Sequence, residues 1–372
     1  MTCILAFLPM AMESAALFDV LLALASGHLS LTNESHTVSA LENRSAAIRN
    51  LAKAISTPSH ELARHETNAA ACLGFVIYEA GVGDCRTWYT HLKGAHQIIV
   101  STSAHSSGKL LQGPGAFKTS TEGQWILRNF AYHDIIGSIT LRKRPLLNGD
   151  YLDGITDVVD SCVGVAAGLL SILARISCLD ADTSFDSQTA ADQHLQHHFL
   201  TTSANLEQEL LAWTCNPNTE PGLASLAYTY RNASLITLYR LLRNRLQTGY
   251  ITSLDTDPSP PSQTTTPIET IQTKIQTQVS DTLALLSIIP IGSEPESALL
   301  FPVFMIGGEA RDEGQMDVVR TRLRHMAEKR QFRNLGQARW VLEELWDLRR
   351  SDAVEADWTQ VQDAVGVDLL LT

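Results

Sequence analysis

One stretch, residues 299–348, constrains the fold of this chain more than any other. It opens on a dense apolar run, 299–306, interrupted by Pro302 and followed by the pair Gly307-Gly308. Two amphipathic segments come next. Met316, Val319, Leu323 and Met326 recur at steps of three and four in the first, and Ala338, Val341, Leu342, Leu345 and Trp346 in the second. Such steps place side chains on one face of a helix. The pattern predicts a buried helical hairpin fronted by an apolar plug, around which other helices must pack.

The rest of the chain reads the same way. Residues 4–30 predict one or two helices, broken near Pro9 and closed near Gly27. Residues 38–55 predict an amphipathic helix with Leu41, Ile48, Leu51 and Ile55 on one face. A helix over 61–80 ends at Gly81 and Gly83, and Asp84 is placed to cap a following helix that lines up Trp88, Leu92, Ala95 and Ile99. Further helices are expected over 124–141, 161–179, 191–213, 223–247 and 268–289, with a short one in the tail after Ser351. Residues 161–179 are apolar nearly all round, as a central helix requires. Segments 101–123, 145–160, 180–190 and 250–267 read as loops, and those at 101–123 and 250–267 as mobile ones. No strand pattern and no repeat of fixed length is visible. The expected fold class is all-α: a single large irregular helical domain of about ten helices over residues 1–372.

Composition narrows the function classes. The net charge is −12, and an acidic surface repels phosphate, which disfavours nucleic acid and anionic membrane as direct partners. Cys3, Cys72, Cys85, Cys162, Cys178 and Cys215 form no CxxC pair, so no zinc-cluster spacing exists. Most of them sit among apolar residues and read as buried free thiols in a reducing compartment. The apolar start has no basic residue ahead of it, the first Lys or Arg being Arg44. It reads as core helices rather than a secretory leader. The sequons at Asn33, Asn43 and Asn232 would suit a secreted chain, but Asn232 lies in a strongly helical run. No stretch reaches the roughly 18 uninterrupted apolar residues of a membrane span.

Catalytic patterns fall short one by one. His60 and His65 flank a near-zincin sequence, but a spacing of five turns them about 140° apart on a helix, so they cannot share a metal ion. His194, His197 and His198 share a helical face that reads as solvated. Gly81-Val82-Gly83 lacks a third glycine and a preceding strand, and Gly307-Gly308 lacks the Lys-Ser/Thr of a phosphate loop. Arg142-Lys143-Arg144 suits the C-terminus of a helix. Trp88, Trp125, Trp213, Trp340 and Trp346 fall on apolar faces and read as core. A helical enzyme of the terpenoid or lipid type would need paired carboxylates or an activated nucleophile, and no DDxxD pattern occurs. No residue is singled out as catalytic, cofactor-binding or metal-ligating.

Six segments, in order, nevertheless resemble the fungal-specific transcription factor domain, the helical regulatory region that follows a binuclear zinc cluster in fungal regulators. Residues 17–29 (LFDVLLALASGHL) are similar to its first helix, and Trp88, His91, Leu92, Gly94 and Ala95 to its W-x-x-H-L-x-G-A segment. Residues 130–145 resemble its aromatic-plus-Asp helix ending in Arg-Pro, and Tyr230, Ala233, Leu235 and Ile236 its Y-x-x-A-x-L-I helix. Phe301, Pro302, Phe304, Gly307 and Glu309 resemble its F-P-x-F-x-x-G-x-E signature, and Leu342 with Trp346 its closing L-x-x-x-W. The resemblance implies a nuclear transcription regulator without enzymatic activity. It implies protein partners in the transcription machinery and leaves room for a small-molecule effector. The scattered cysteines depart from the family's cluster, so zinc and direct DNA contact are expected only through a DNA-binding module outside this chain.

Overall fold

A computed structural model describes residues 3–83, 85–106, 108–160, 162–183, 193–254, 266–351 and 356–372. Asp84, the centre of the expected 180–190 loop and most of the expected 250–267 loop lie outside the described residues. The described chain is all-α in character, with fifteen α-helices rather than about ten. The surplus comes from one break inside 4–30, a short helix α6 (Pro114–Phe117) and the division of 299–348 into three.

The break in the first segment is not at Pro9. Pro9 sits inside α1 (Cys3–Glu13), and the chain re-starts at Ser14, whose hydroxyl accepts from the Leu17 N–H and caps α2 (Ala15–Thr32). Nor does α2 stop at Gly27. A Cβ at Gly27 would stand 2.8 Å from Val82 Cγ1 and 3.0 Å from Tyr78 Cε2, so this glycine serves close packing on α4 (Leu62–Gly81). Among the described helices α2 alone is long and apolar enough to cross a membrane by length and composition. It also buries Leu17, Val20 and Leu24 in the core.

Helix α3 (Thr37–Ser56) corrects a sequence expectation. It buries Ala40, Ala47 and Leu51, while Leu41, Ile48 and Ile55 are exposed. Its contacts are chiefly with α2, and the small alanines allow that close approach; of the expected face only Leu51 is buried. Trp340 is likewise 41% exposed, whereas Trp88 and Trp346 are fully enclosed and Trp125 and Trp213 are partly buried. Helix α5 (Trp88–Ser101) packs on α4.

The expected loop at 101–123 carries secondary structure among its described residues. It holds an antiparallel hairpin of β1 (Ser103–Ser106) and β2 (Lys109–Gln112), with Gly108 at φ +76 in the turn. Its residues carry no apolar alternation, so sequence periodicity could not reveal it. Helix α7 then runs over Thr121–Leu141, and Arg142 closes it in the left-handed region at φ 52.

The central apolar helix starts later than expected, as α8 (Ala167–Thr183). Turn chemistry overrides the apolar run: the Asp160 carboxylate accepts from the N–H of Cys162 and Val163, and Gly164 takes φ +61. Helices α9 (Gln193–Ala212), α10 (Pro221–Gln247) and α11 (Pro267–Leu286) follow.

The apolar plug is itself a helix, α12 (Leu300–Glu309), and every one of its residues is buried. Pro302 lies in the first turn, where its missing N–H forfeits no intrahelical bond. Phe301 and Phe304 are fully enclosed, each contributing about 1.5–3 kcal/mol by burial. Helices α10, α11, α13 (Glu313–Arg330) and α14 (Arg333–Arg350) surround α12. The glycine pair falls inside α12: a Cβ at Gly307 would meet Leu342 Cδ1 at 2.7 Å, and one at Gly308 would meet Trp358 Cδ1 at 2.8 Å. The last helix is α15 (Trp358–Val365). Beyond it Leu369, Leu370 and Leu371 are buried, held by side chains from three helices: Trp88 Nε1 donates to the Asp368 carbonyl, Thr140 Oγ1 to that of Leu369 and Asn334 Nδ2 to that of Leu370. Buried apolar residues form one continuous set from Phe7 to Leu371.

Candidate ligand-binding clefts

Two clefts reach α12 from different neighbours. The first, about 170 Å³, is walled by Ile77, Leu300, Met326, Phe332 and Leu335, with Tyr132 and Cys162 at its edge. Its lining also includes three residues with a buried polar atom that has no hydrogen-bond partner. His133 Nδ1 bonds Thr372 Oγ1 at 2.7 Å, but its Nε2 is buried with no hydrogen-bond partner. Asn334 Oδ1 and Arg330 Nε are buried and unpartnered in the same way. Burial pushes the His133 imidazole down to about 3, so the ring is neutral at physiological pH. An apolar wall with three unanswered polar atoms matches the make-up of small-molecule sites, where a few polar groups orient an otherwise apolar ligand.

The second cleft, about 280 Å³, is of opposite character. Arg142, Arg240, Arg243, Arg311 and Arg349 line it, with Asp180 and Asp357. Arg240 and Arg243, one turn apart on α10, both grip Glu309, the last residue of α12. Glu309 is fully buried. Burial alone would raise its carboxyl, but the two guanidinium groups outweigh that and lower it. The Asp357 carboxylate, capping α15, also pairs with Arg240 at 2.8 Å. Burial opposes its ionisation, and the Arg240 charge with the Thr359 N–H holds it well below the usual carboxylate range. Arg349 differs from these: it donates to the carbonyls of Gly308, Ala310 and Ala356.

The residues weighed for chemistry in the sequence do not meet at either cleft. His60 precedes α4, and His65 is on it with Nε2 3.1 Å from the Ser59 carbonyl. His194, His197 and His198 are exposed on α9. No group of three or more metal-ligating side chains occurs among the described residues. Arg142 pairs with Asp363 and Arg144 with Asp182 at the surface. Cys72, Cys85 and Cys162 are buried free thiols, and Cys178 and Cys215 are partly buried ones.

The signature segment instead organises the packing. Phe301, Pro302, Phe304 and Gly307 build α12, and Trp346 closes over its C-terminal end, Nε1 donating to the Gly307 carbonyl. Tyr230 on α10 donates its hydroxyl to the Ala298 carbonyl at 2.8 Å, just ahead of α12. The fungal specific transcription factor domain matches residues 5–372. The chain belongs to that family. Searches of curated proteins and of solved structures gave no match. Membership places the chain among transcription regulators. The signature side chains build the helix that contributes Leu300 to one cleft and Met305 to the other.

Proposed function

We propose that this domain controls RNA polymerase II transcription in the nucleus, through protein partners or an attached DNA-binding module. It does so without catalysing a reaction. DNA is reached only indirectly, consistent with the net charge of −12, and the domain itself needs no cofactor. Family membership over residues 5–372 carries the reading.

The apolar cleft supports a sensing part in this role. A small, mostly apolar effector with one or two hydrogen-bonding groups would answer His133 Nε2, Arg330 Nε and Asn334 Oδ1 and fill the volume beside Leu300. The test is a reporter driven by a DNA-binding module fused to residues 1–372, read across a panel of nutrient conditions. Output that changes with condition is expected, and Leu335→Trp, which fills the cleft, should flatten the response. Constant output under all conditions overturns the regulatory reading.

A further inference from the structure

The arginine-lined cleft holds more positive charge than its own acids neutralise. Around it, Asp363 pairs with Arg142, Asp180 with Arg245, and Glu309 with Asp357 pairs with Arg240 and Arg243. Four carboxylates thus meet four guanidinium groups. Arg311 and Arg349, which line the same cleft, have no carboxylate partner among the described residues. Arg349 is satisfied by three backbone carbonyls, which orient its guanidinium but do not cancel its charge. Arg311 has one long contact, 3.5 Å, to Gln272 Oε1.

A guanidinium kept half-buried beside other arginines, in a chain that is acidic overall, is costly unless something anionic joins it. Burial, with Arg311 adding its repulsion, brings Arg349 down to about 10 although Glu309 opposes the shift. The remaining wall is polar and suited to a hydroxylated anion: Asn244, Gln247, Thr359 and Gln360 all face the cleft. Its volume of about 280 Å³ accepts a small metabolite rather than a polymer.

We propose that this cleft binds a small organic dianion, a phosphomonoester or a dicarboxylate, with Arg311 and Arg349 as the principal cationic contacts. Planar guanidinium forks match both anion types in paired hydrogen bonds. This site is separate from the apolar cleft and stands whether or not that cleft senses an effector.

The experiment is calorimetric titration of the folded chain, residues 1–372, with glycerol 3-phosphate and with succinate at fixed ionic strength, glycerol serving as neutral control. Saturable binding of at least one dianion is expected, and which of the two binds more tightly assigns the source. Arg311→Gln, at an exposed residue, should weaken binding by about tenfold or more without shifting the melting temperature of the free protein. Arg144→Gln, the same charge change at a surface ion pair that does not line the cleft, should leave affinity unchanged. Absence of saturable binding by either dianion overturns the proposal, as does equal loss in both variants, which marks general charge attraction. Failure here leaves the reporter outcome untouched, so the two readings fall separately.

Discussion

Trp346 Nε1 donates to the Gly307 carbonyl at 3.0 Å, across 39 residues of chain. Gly307 is where α12 touches α14, and the missing side chain is what lets them approach. Gly307→Ala would drive a methyl into Leu342 and Val319. We expect a loss of about 1–3 kcal/mol from overpacking. Gly336→Ala, inside α14 with no atom near the new methyl, should instead be neutral or stabilise by up to about 1 kcal/mol. Urea unfolding of both variants reads the contrast.

Removing charge from Glu309 leaves Asp357 alone to balance two buried arginines. Glu309→Gln is expected to cost about 3–5 kcal/mol, most of it the penalty of burying two guanidinium groups against one carboxylate. The same groups set an acid limit. Glu309 and Asp357 both have lowered folded-state values, so their contribution is present above the unfolded carboxylate range and is lost as pH falls through the folded values. Melting temperature should drop as pH is lowered below about 4, and Glu309→Gln should blunt that slope.

Asp134 works in the other direction. Burial pushes its carboxyl up to about 7, although the N–H groups of Leu146 and Leu147 donate to it. The folded state therefore binds a proton more tightly than the unfolded chain, and stability falls as pH rises from about 4 to about 7. Asp134→Asn should remove this dependence. A melting series between those limits on both proteins checks it.

Thiol reactivity should follow burial. Cys72 is enclosed and pushed up to about 12 by its apolar surroundings, and Cys85 is 1% exposed. Under native conditions iodoacetamide should reach Cys178 and Cys215 well before either of them. Peptide mapping of a labelling time course gives the order. Labelling of Cys72 as fast as Cys215 would contradict this core.

Asn232 offers a test of the packing of α10. Its side chain is fully enclosed on α10 and donates to Thr282 Oγ1 at 3.2 Å. Native protein should therefore carry no glycan there, by intact mass. Asn232→Ala should cost about 1–3 kcal/mol through the lost buried hydrogen bond and the space it vacates, Thr282 keeping its bond to the Gln278 carbonyl.

Helical faces were legible wherever a helix packs through large aliphatics. Met316, Val319, Leu323 and Met326 on α13 are all buried, as are Val341, Leu342 and Leu345 on α14. Where packing runs through alanine, as on α3, three of the four large aliphatics of the expected face lie toward solvent and the pattern misleads. The hairpin of β1 and β2 mixes polar and apolar residues on both strands without alternation and leaves no periodic trace. The clefts were not legible at all. Arg240, Arg311 and Arg349 are far apart in sequence, as is His133 from Arg330 and Asn334, and only the packing around α12 brings each set together.

Helix α12 supplies Leu300 to one cleft and Met305 to the other. They are five residues apart, about 7.5 Å along the axis. With all its residues enclosed and its glycines in contact with neighbours, α12 has little freedom to bend or repack. A displacement at one end is then a displacement of the whole rod. Any occupant that favours a shifted position of α12 changes the affinity of the opposite cleft, and linkage makes that effect equal in both directions.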